Sequence, residues 1–189
     1  MKLTPDPDLA GLHLLEPRIC RDDRGFFLET WRQSWLDDAG LEGRFVQANH
    51  SLSTRDTLRG LHFQAGPGQP KLVRCTRGAI WDVAVDIRPG SPTLGRWKAY
   101  ELAADNFRMV YVPRGFAHGF AVLSDEAEVQ YLCGTYYDGK LERGIAWDDP
   151  DLAVAWPVDR PILSERDKAN PFWRDVLADL AAARAWTTP

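Results

Sequence analysis

From Leu72 to Tyr136 the chain falls into short segments of alternating apolar and polar residues, each ended by a turn signal. Leu72–Cys75 turns through Thr76-Arg77-Gly78 into Ala79–Arg88, and Pro89-Gly90-Ser91-Pro92-Thr93 forms a loop. Further segments follow at about Arg96–Leu102, Arg108–Val112, Gly119–Leu123 and Glu128–Tyr136. A period of two is the mark of a strand with two unlike faces. In the longest segment Trp81, Val83, Val85 and Ile87 point one way, and Asp82, Ala84 and Asp86 the other. Strands this short and this densely punctuated predict an all-β sandwich or closed barrel. Neither βαβ spacing nor an internal repeat is present, and 189 residues suit a single domain.

The flanking regions are less regular. Residues 1–20 predict one or two short strands, and Cys20-Arg21-Asp22-Asp23-Arg24-Gly25 a turn. Phe26–Trp31 reads as a strand, and Gln33–Leu41 as a short helix capped by Ser34 and stopped by Gly40. Phe45–Ser51 alternates again, with Gln47, Asn49 and Ser51 on one face. After a core of about residues 10–170, Trp173, Val176, Leu177 and Leu180 recur at helical spacing within Pro171–Trp186. That predicts a terminal helix packed on the outside of the barrel.

Composition excludes several classes. The net charge of -4 argues against a nucleic-acid binder, which carries a basic footprint. No apolar run approaches a membrane span, and the first residues lack the apolar stretch of a signal peptide. Three widely spaced cysteines, Cys20, Cys75 and Cys133, fit a reducing cytoplasm better than a disulfide framework.

One stretch stands out chemically. In Leu58-Arg59-Gly60-Leu61-His62-Phe63-Gln64, alternation gives Gly60, His62 and Gln64 one face, and Leu61 and Phe63 the other. Lys71 follows shortly, and a second histidine, His118, sits among small and aromatic residues. A lone strand histidine is more often a satisfied core residue than a reactive one. Two cations close by change that balance, because cations are rarely buried without an anionic partner. A metal is not expected. Many metal-binding cupins use His-x-His on one strand, and here the position two after His62 is Gln64, while His13 and His50 are not placed to complete a site.

Taken together, the segments resemble the dTDP-4-dehydrorhamnose 3,5-epimerase family. They are Asp23–Phe26, Gln47–Ser51, Leu58–Gln64, Lys71–Val73, Asp82–Arg88, Ser91–Thr93, Pro113–Phe120, Trp147–Pro150 and Ser164–Asp167. The resemblance implies a cupin-like jelly roll, free of metal and cofactor and usually homodimeric. It implies inversion of C3 and C5 of a 4-keto-6-deoxyhexose carried on dTDP. His62 would be the general base, since imidazole titrates near the working pH, and Asp167 its orienting partner. Lys71 would stabilise the enolate at the C4 oxygen, and Tyr131 would return a proton from the opposite face. Arg24 and Arg59 match phosphate-binding positions, a role suited to guanidinium. Glu29, Gln47, Asn49, His118 and Glu142 match other ligand contacts, and Phe26 is a candidate contact for the base. The early Arg-Gly-Phe strand would reach into the neighbouring subunit's site. Arg166 departs from the family, which carries lysine there; the charge is kept and the geometry changes. Two alternatives stand beside this reading: an epimerase acting at only C3 or C5, and a catalytically silent cupin that binds a nucleotide sugar. Tyr131 and the Phe116-Ala117-His118-Gly119-Phe120 form favour the double epimerase.

Overall fold

A computed structural model describes residues 1–182. In chain order its elements are β1 (Lys2–Pro5), β2 (His13–Glu16), β3 (Cys20–Asp22), β4 (Gly25–Phe27), α1 (Gln33–Asp38), β5 (Gln47–Thr54) and β6 (Leu58–Gln64). They continue with β7 (Lys71–Arg77), β8 (Ala79–Asp86), β9 (Trp97–Ala103), β10 (Met109–Val112), β11 (Phe116–Val122), β12 (Glu126–Cys133), β13 (Glu142–Gly144), α2 (Glu165–Lys168) and α3 (Trp173–Ala182). One sheet runs β1-β2-β10-β7-β12-β5 and a second runs β13-β6-β11-β8-β9, with β3 and β4 forming a separate hairpin. The two large sheets face each other as a sandwich, as the strand density predicts, in the jelly-roll form that the resemblance implies.

Burial shows why alternation sorts the strands so cleanly. Val73, Cys75, Ile80, Ala84, Val110, Phe120 and Val129 fill the space between the sheets. The opposite face of the five-stranded sheet presents Leu61, Phe63, Val83, Val85 and Ile87 to Trp173, Val176 and Leu180 of α3. The terminal helix therefore packs outside the barrel as expected; the part of its predicted span beyond Ala182 lies outside the described residues. A third cluster, Leu15, Leu72, Met109 and Tyr111, lies under Leu36 of α1. Each fully buried Leu, Val or Phe contributes about 1.5–3 kcal/mol relative to exposure. A one-residue slip of β6 would exchange Leu61 and Phe63 for His62, so this outer layer fixes which way His62 points.

Two local expectations are corrected. Of the predicted Phe26–Trp31 strand only Phe26 and Phe27 pair, in a strand that begins at Gly25, because β3 offers just three partners. Leu28 and Trp31 instead pack beside α1 with Phe45. That helix is shorter than predicted and begins before Ser34; its cap is Arg32, with no side-chain cap bond. The stop is as predicted: Gly40 has φ +64 and Leu41 N–H donates to the Leu36 carbonyl at 2.9 Å.

Candidate active site

A cavity of about 300 Å³ opens between the sheets at the ends of β6, β7, β11 and β12. Arg59, His62, Lys71, His118, Tyr131, Glu142, Arg166 and Asp167 all line it, so eight side chains singled out in the sequence converge there from six separate segments.

The imidazole of His62 is the best-anchored group. Its Nε2 lies 2.5 Å from Asp167 Oδ1. Asp167 stands in the short helix α2, and Ser164 at its N-cap accepts from Asp167 N–H at 3.1 Å. The Ser164 hydroxyl donates to Asp167 Oδ2 at 2.9 Å. Both carboxylate oxygens are thus satisfied in a residue only 4% exposed. Burial pushes the Asp167 pKa up, but the bond and charge of His62, the Ser164 hydroxyl and the Arg166 charge outweigh it, and the net shift is downward. An ionised carboxylate only accepts. The proton therefore sits on His62 Nε2, and Nδ1 is left as the basic atom.

Local backbone geometry explains how Arg59 joins the same cavity. Alternation alone places Arg59 and His62 on opposite faces. Across β6 and β11, His118 pairs with His62 but Phe120 pairs with Arg59, so β6 carries one extra residue. Such a bulge re-aims a side chain. It is possible because Gly60 has φ +129 and no Cβ; a Cβ there would lie 2.6 Å from Gly119 Cα. Arg59 Nε then donates to Ser53 Oγ at 2.9 Å.

The opposing wall comes from the six-stranded sheet. Cys133 pairs with Lys71, and Tyr131 with Asn49 and Val73. Burial pulls the Lys71 pKa below 10.5, opposed by the charges of Cys133, Glu142 and Asp82. No carboxylate ion-pairs with Lys71 among the described residues. A desolvated ammonium without a counter-charge suits an anion supplied from outside. Burial raises the Tyr131 phenol, helped by Cys133 and Glu142 and opposed by Arg59 and a hydrogen bond with Asn49. It stays protonated at neutral pH and can donate.

The polar residues of β5 share one face, as its alternation suggests, and that face is the less exposed one, with Ser51 lining the cavity. Gln47 and Asn49 are half-buried while Ala48, His50 and Leu52 are exposed. Gln47 Nε2 donates to Asn49 Oδ1 at 3.1 Å, and Gln47 Oε1 accepts from Tyr137 N–H at 2.9 Å. At the rim, Glu142 Oε2 accepts from Tyr137 OH and from Arg166 Nη1, each at 2.5 Å. Those bonds and the Arg166 charge outweigh burial and lower the Glu142 pKa. Arginine in place of the family lysine is thus tied to Glu142. Gln64, at the position of the missing histidine, accepts from Asp138 N–H at 3.3 Å. Among the described residues no group of three His, Cys, Asp or Glu side chains is placed to hold a metal.

Five predicted residues do not line the cavity: Gln47 and Asn49 of β5, whose bonds are given above, and three that lie in the chain's early segments. Arg24 forms a two-bond pair with Asp22 on the exposed β3–β4 turn. Phe26 is 57% exposed and edge-on to Phe107. Glu29 accepts from Arg32. None of them lines the cavity of its own chain. The sequence reading also missed two participants. Asp82 binds His118, and its signal was an aspartate on the inward face of β8. Tyr137 binds Glu142, and its signal was a pair of tyrosines just after a strand.

Comparison with known proteins identifies the family. The family model described as dTDP-4-dehydrorhamnose 3,5-epimerase matches residues 6–175. The chain is 51% identical over 164 residues to the Escherichia coli (strain K12) protein of that name, covering 85% of this chain and 89% of that one. The crystal structure of dTDP-6-deoxy-D-glucose-3,5-epimerase from Legionella pneumophila, in complex with dTDP-4-keto-L-rhamnose, superposes with a TM-score of 0.91. It is 39% identical, with 100% of this chain and 98% of that one covered. A 3'-monoepimerase from Streptomyces bikiniensis, in complex with dTDP-quinovose, gives 0.82 at 35% identity, covering 95% and 98%. With a matching family model over most of its length and a relative at half identity, the chain belongs to the dTDP-4-dehydrorhamnose 3,5-epimerase family.

Proposed function

We propose that this protein inverts C3 and C5 of dTDP-4-dehydro-6-deoxy-D-glucose to give dTDP-4-dehydro-L-rhamnose. One observation carries the reading: His62 and Tyr131 stand on opposing sheets of one cavity. Inversion needs a proton removed from one face of the sugar and returned from the other. His62 Nδ1 takes the proton next to the C4 ketone, and Asp167 stabilises the resulting imidazolium. Lys71 offsets the charge that builds on the C4 oxygen. Tyr131 donates to the enolate carbon from the far side and is recharged by solvent. No step calls for a metal, and activity is expected to survive prolonged chelation.

Arg59 serves the diphosphate within the chain. The β3–β4 hairpin supplies the rest from a second copy. All six of its strand residues are exposed, and neither Arg24 nor Phe26 lines the cavity of its own chain. A depression on the outer face of the six-stranded sheet, lined by Trp31, His50, Leu72 and Leu132, offers such a copy a seat. The active unit is therefore a homodimer in which each hairpin completes the neighbour's site. Free thiols at Cys20, Cys75 and Cys133 suit the cytoplasm, and no helix among the described residues is long and apolar enough to cross a membrane.

The likeness to a 3'-monoepimerase supports a second reading, epimerisation at C3 alone. His62→Asn tests the part common to both. It is expected to keep dTDP affinity and lose about 10²–10⁴-fold in solvent deuterium exchange into the sugar. A loss below about tenfold assigns the base elsewhere.

A further inference from the structure

The cavity contains a second imidazole–carboxylate pair that proton transfer does not use. His118 is the register partner of His62 across β6 and β11, so the two rings stand side by side. His118 Nε2 lies 2.8 Å from Asp82 Oδ2. Asp82 is 1% exposed, and its other oxygen, Oδ1, is buried without a partner among the described residues. A buried carboxylate oxygen left unpaired costs stability. The arrangement is therefore a poor structural bond, and its use lies in what it does to His118.

An ionised carboxylate only accepts, so Nε2 of His118 carries a proton. In the neutral ring Nδ1 is then a lone pair; the ring lines the cavity, and its one side-chain bond among the described residues is the one at Nε2. Around it the walls are rich in donors: Arg59, Lys71 and Arg166 do nothing but donate. Of the carboxylates that line the same space, Asp167 is occupied at both oxygens by His62 and Ser164, and Glu142 is held at Oε2 by Tyr137 and Arg166. A sugar bound there brings hydroxyl protons that need an acceptor.

We propose that Asp82 is a positioning residue for the epimerisation: it holds the His118 proton on Nε2 so that Nδ1 accepts from a sugar hydroxyl and sets the ring against His62. The inference rests on the epimerase reading of this cavity. It adds a specificity element for the hexose, separate from the groups that hold the nucleotide.

The test is Asp82→Asn. No donor meets Oδ1, so the amide is free to turn its NH₂ toward Nε2 and drive the proton to Nδ1. The acceptor becomes a donor. The expected result is a fall of about tenfold to a hundredfold in kcat/KM, the range seen when a supporting partner of a functional histidine is removed. It appears mainly as a higher KM, because the lost bond is made in ground and transition states alike. Affinity for dTDP, which lacks the hexose, stays at the wild-type value. In a His118→Gln background the same substitution adds nothing. An unchanged kcat/KM, a parallel loss of dTDP affinity, or an equal loss in the His118→Gln background overturns the inference. Should the variant not fold, ¹⁵N NMR of histidine-labelled wild-type protein decides. A proton on His118 Nε2 with Nδ1 shifting on addition of dTDP-glucose supports it, and a bare Nε2 overturns it. Wild-type turnover is measured alongside. An inactive wild type defeats the epimerase reading and this inference with it, whereas an active wild type with an unaffected Asp82→Asn defeats the inference alone.

Discussion

Replacing Asp167 by asparagine changes one atom and should reverse the proton arrangement of the site. In the wild type the Ser164 hydroxyl donates to Asp167 Oδ2 and His62 Nε2–H donates to Oδ1. An asparagine that keeps its oxygen toward Ser164 must point its NH₂ at His62. Nε2 then has to accept, the proton moves to Nδ1, and the atom facing the sugar is no longer a base. The loss has two sources, the wrong tautomer and the missing charge opposite the imidazolium. General-base assistance alone is worth about 10²–10⁴-fold, and a tautomer reversal of this kind reaches the upper end. The assay is solvent deuterium exchange into dTDP-4-dehydro-6-deoxy-D-glucose by proton NMR, with dTDP affinity as the control for folding. A loss of less than about tenfold with intact nucleotide binding would refute the dyad. Stability carries a second signature. The folded-state pKa of Asp167 lies below 3.8, so between those two values the unfolded chain binds more protons than the native one. The contribution of Asp167 is complete above 3.8 and is lost as pH falls through the native value. The urea-stability gap between wild type and Asp167→Asn should widen from strong acid up to that point and then level off.

Tyr131→Phe should bind substrate and still exchange, yet fail to invert C5; normal C5 inversion removes Tyr131 as the donor. Mixing Arg24→Ala with His62→Asn, each nearly inactive, should restore activity once subunits exchange, because one site per heterodimer then holds both native residues. No recovery from proven heterodimers places the whole site within one chain. Gly60→Ala brings a Cβ to 2.6 Å from Gly119 Cα and 2.9 Å from the His118 carbonyl. It should cost about 1–3 kcal/mol in urea unfolding and displace His62 enough to slow turnover; unchanged stability and rate would show that the strand approach there has slack.

Alternation made much of this legible in advance. The two faces of β8, the two faces of β5 and the outer helix α3 all follow from which residues repeat at two or at about four. The bulge in β6 was not legible. A single added residue at Gly60 puts Arg59 and His62 on the same wall, and period-two reasoning assigns them to opposite walls. The His62–Asp167 bond joins residues 105 positions apart, and no local pattern links them. Only the resemblance of Ser164–Asp167 to the family motif suggested it. Asp82 is a similar case: alternation separates it from Val83 and Val85, but nothing local shows which face points inward or that its partner is His118, on another strand. The β3–β4 hairpin reads locally as a turn and a strand, and nothing in Phe26 and Phe27 themselves shows that both face solvent.

The central claim is inversion at two carbons by one base and one opposing acid. The direct measurement incubates wild-type enzyme with dTDP-4-dehydro-6-deoxy-D-glucose in heavy water and reads the sugar by proton NMR, which reports position and configuration together. Deuterium is expected at both C3 and C5, with both centres inverted. Deuterium and inversion confined to C3 would contradict it and make the protein a 3-epimerase.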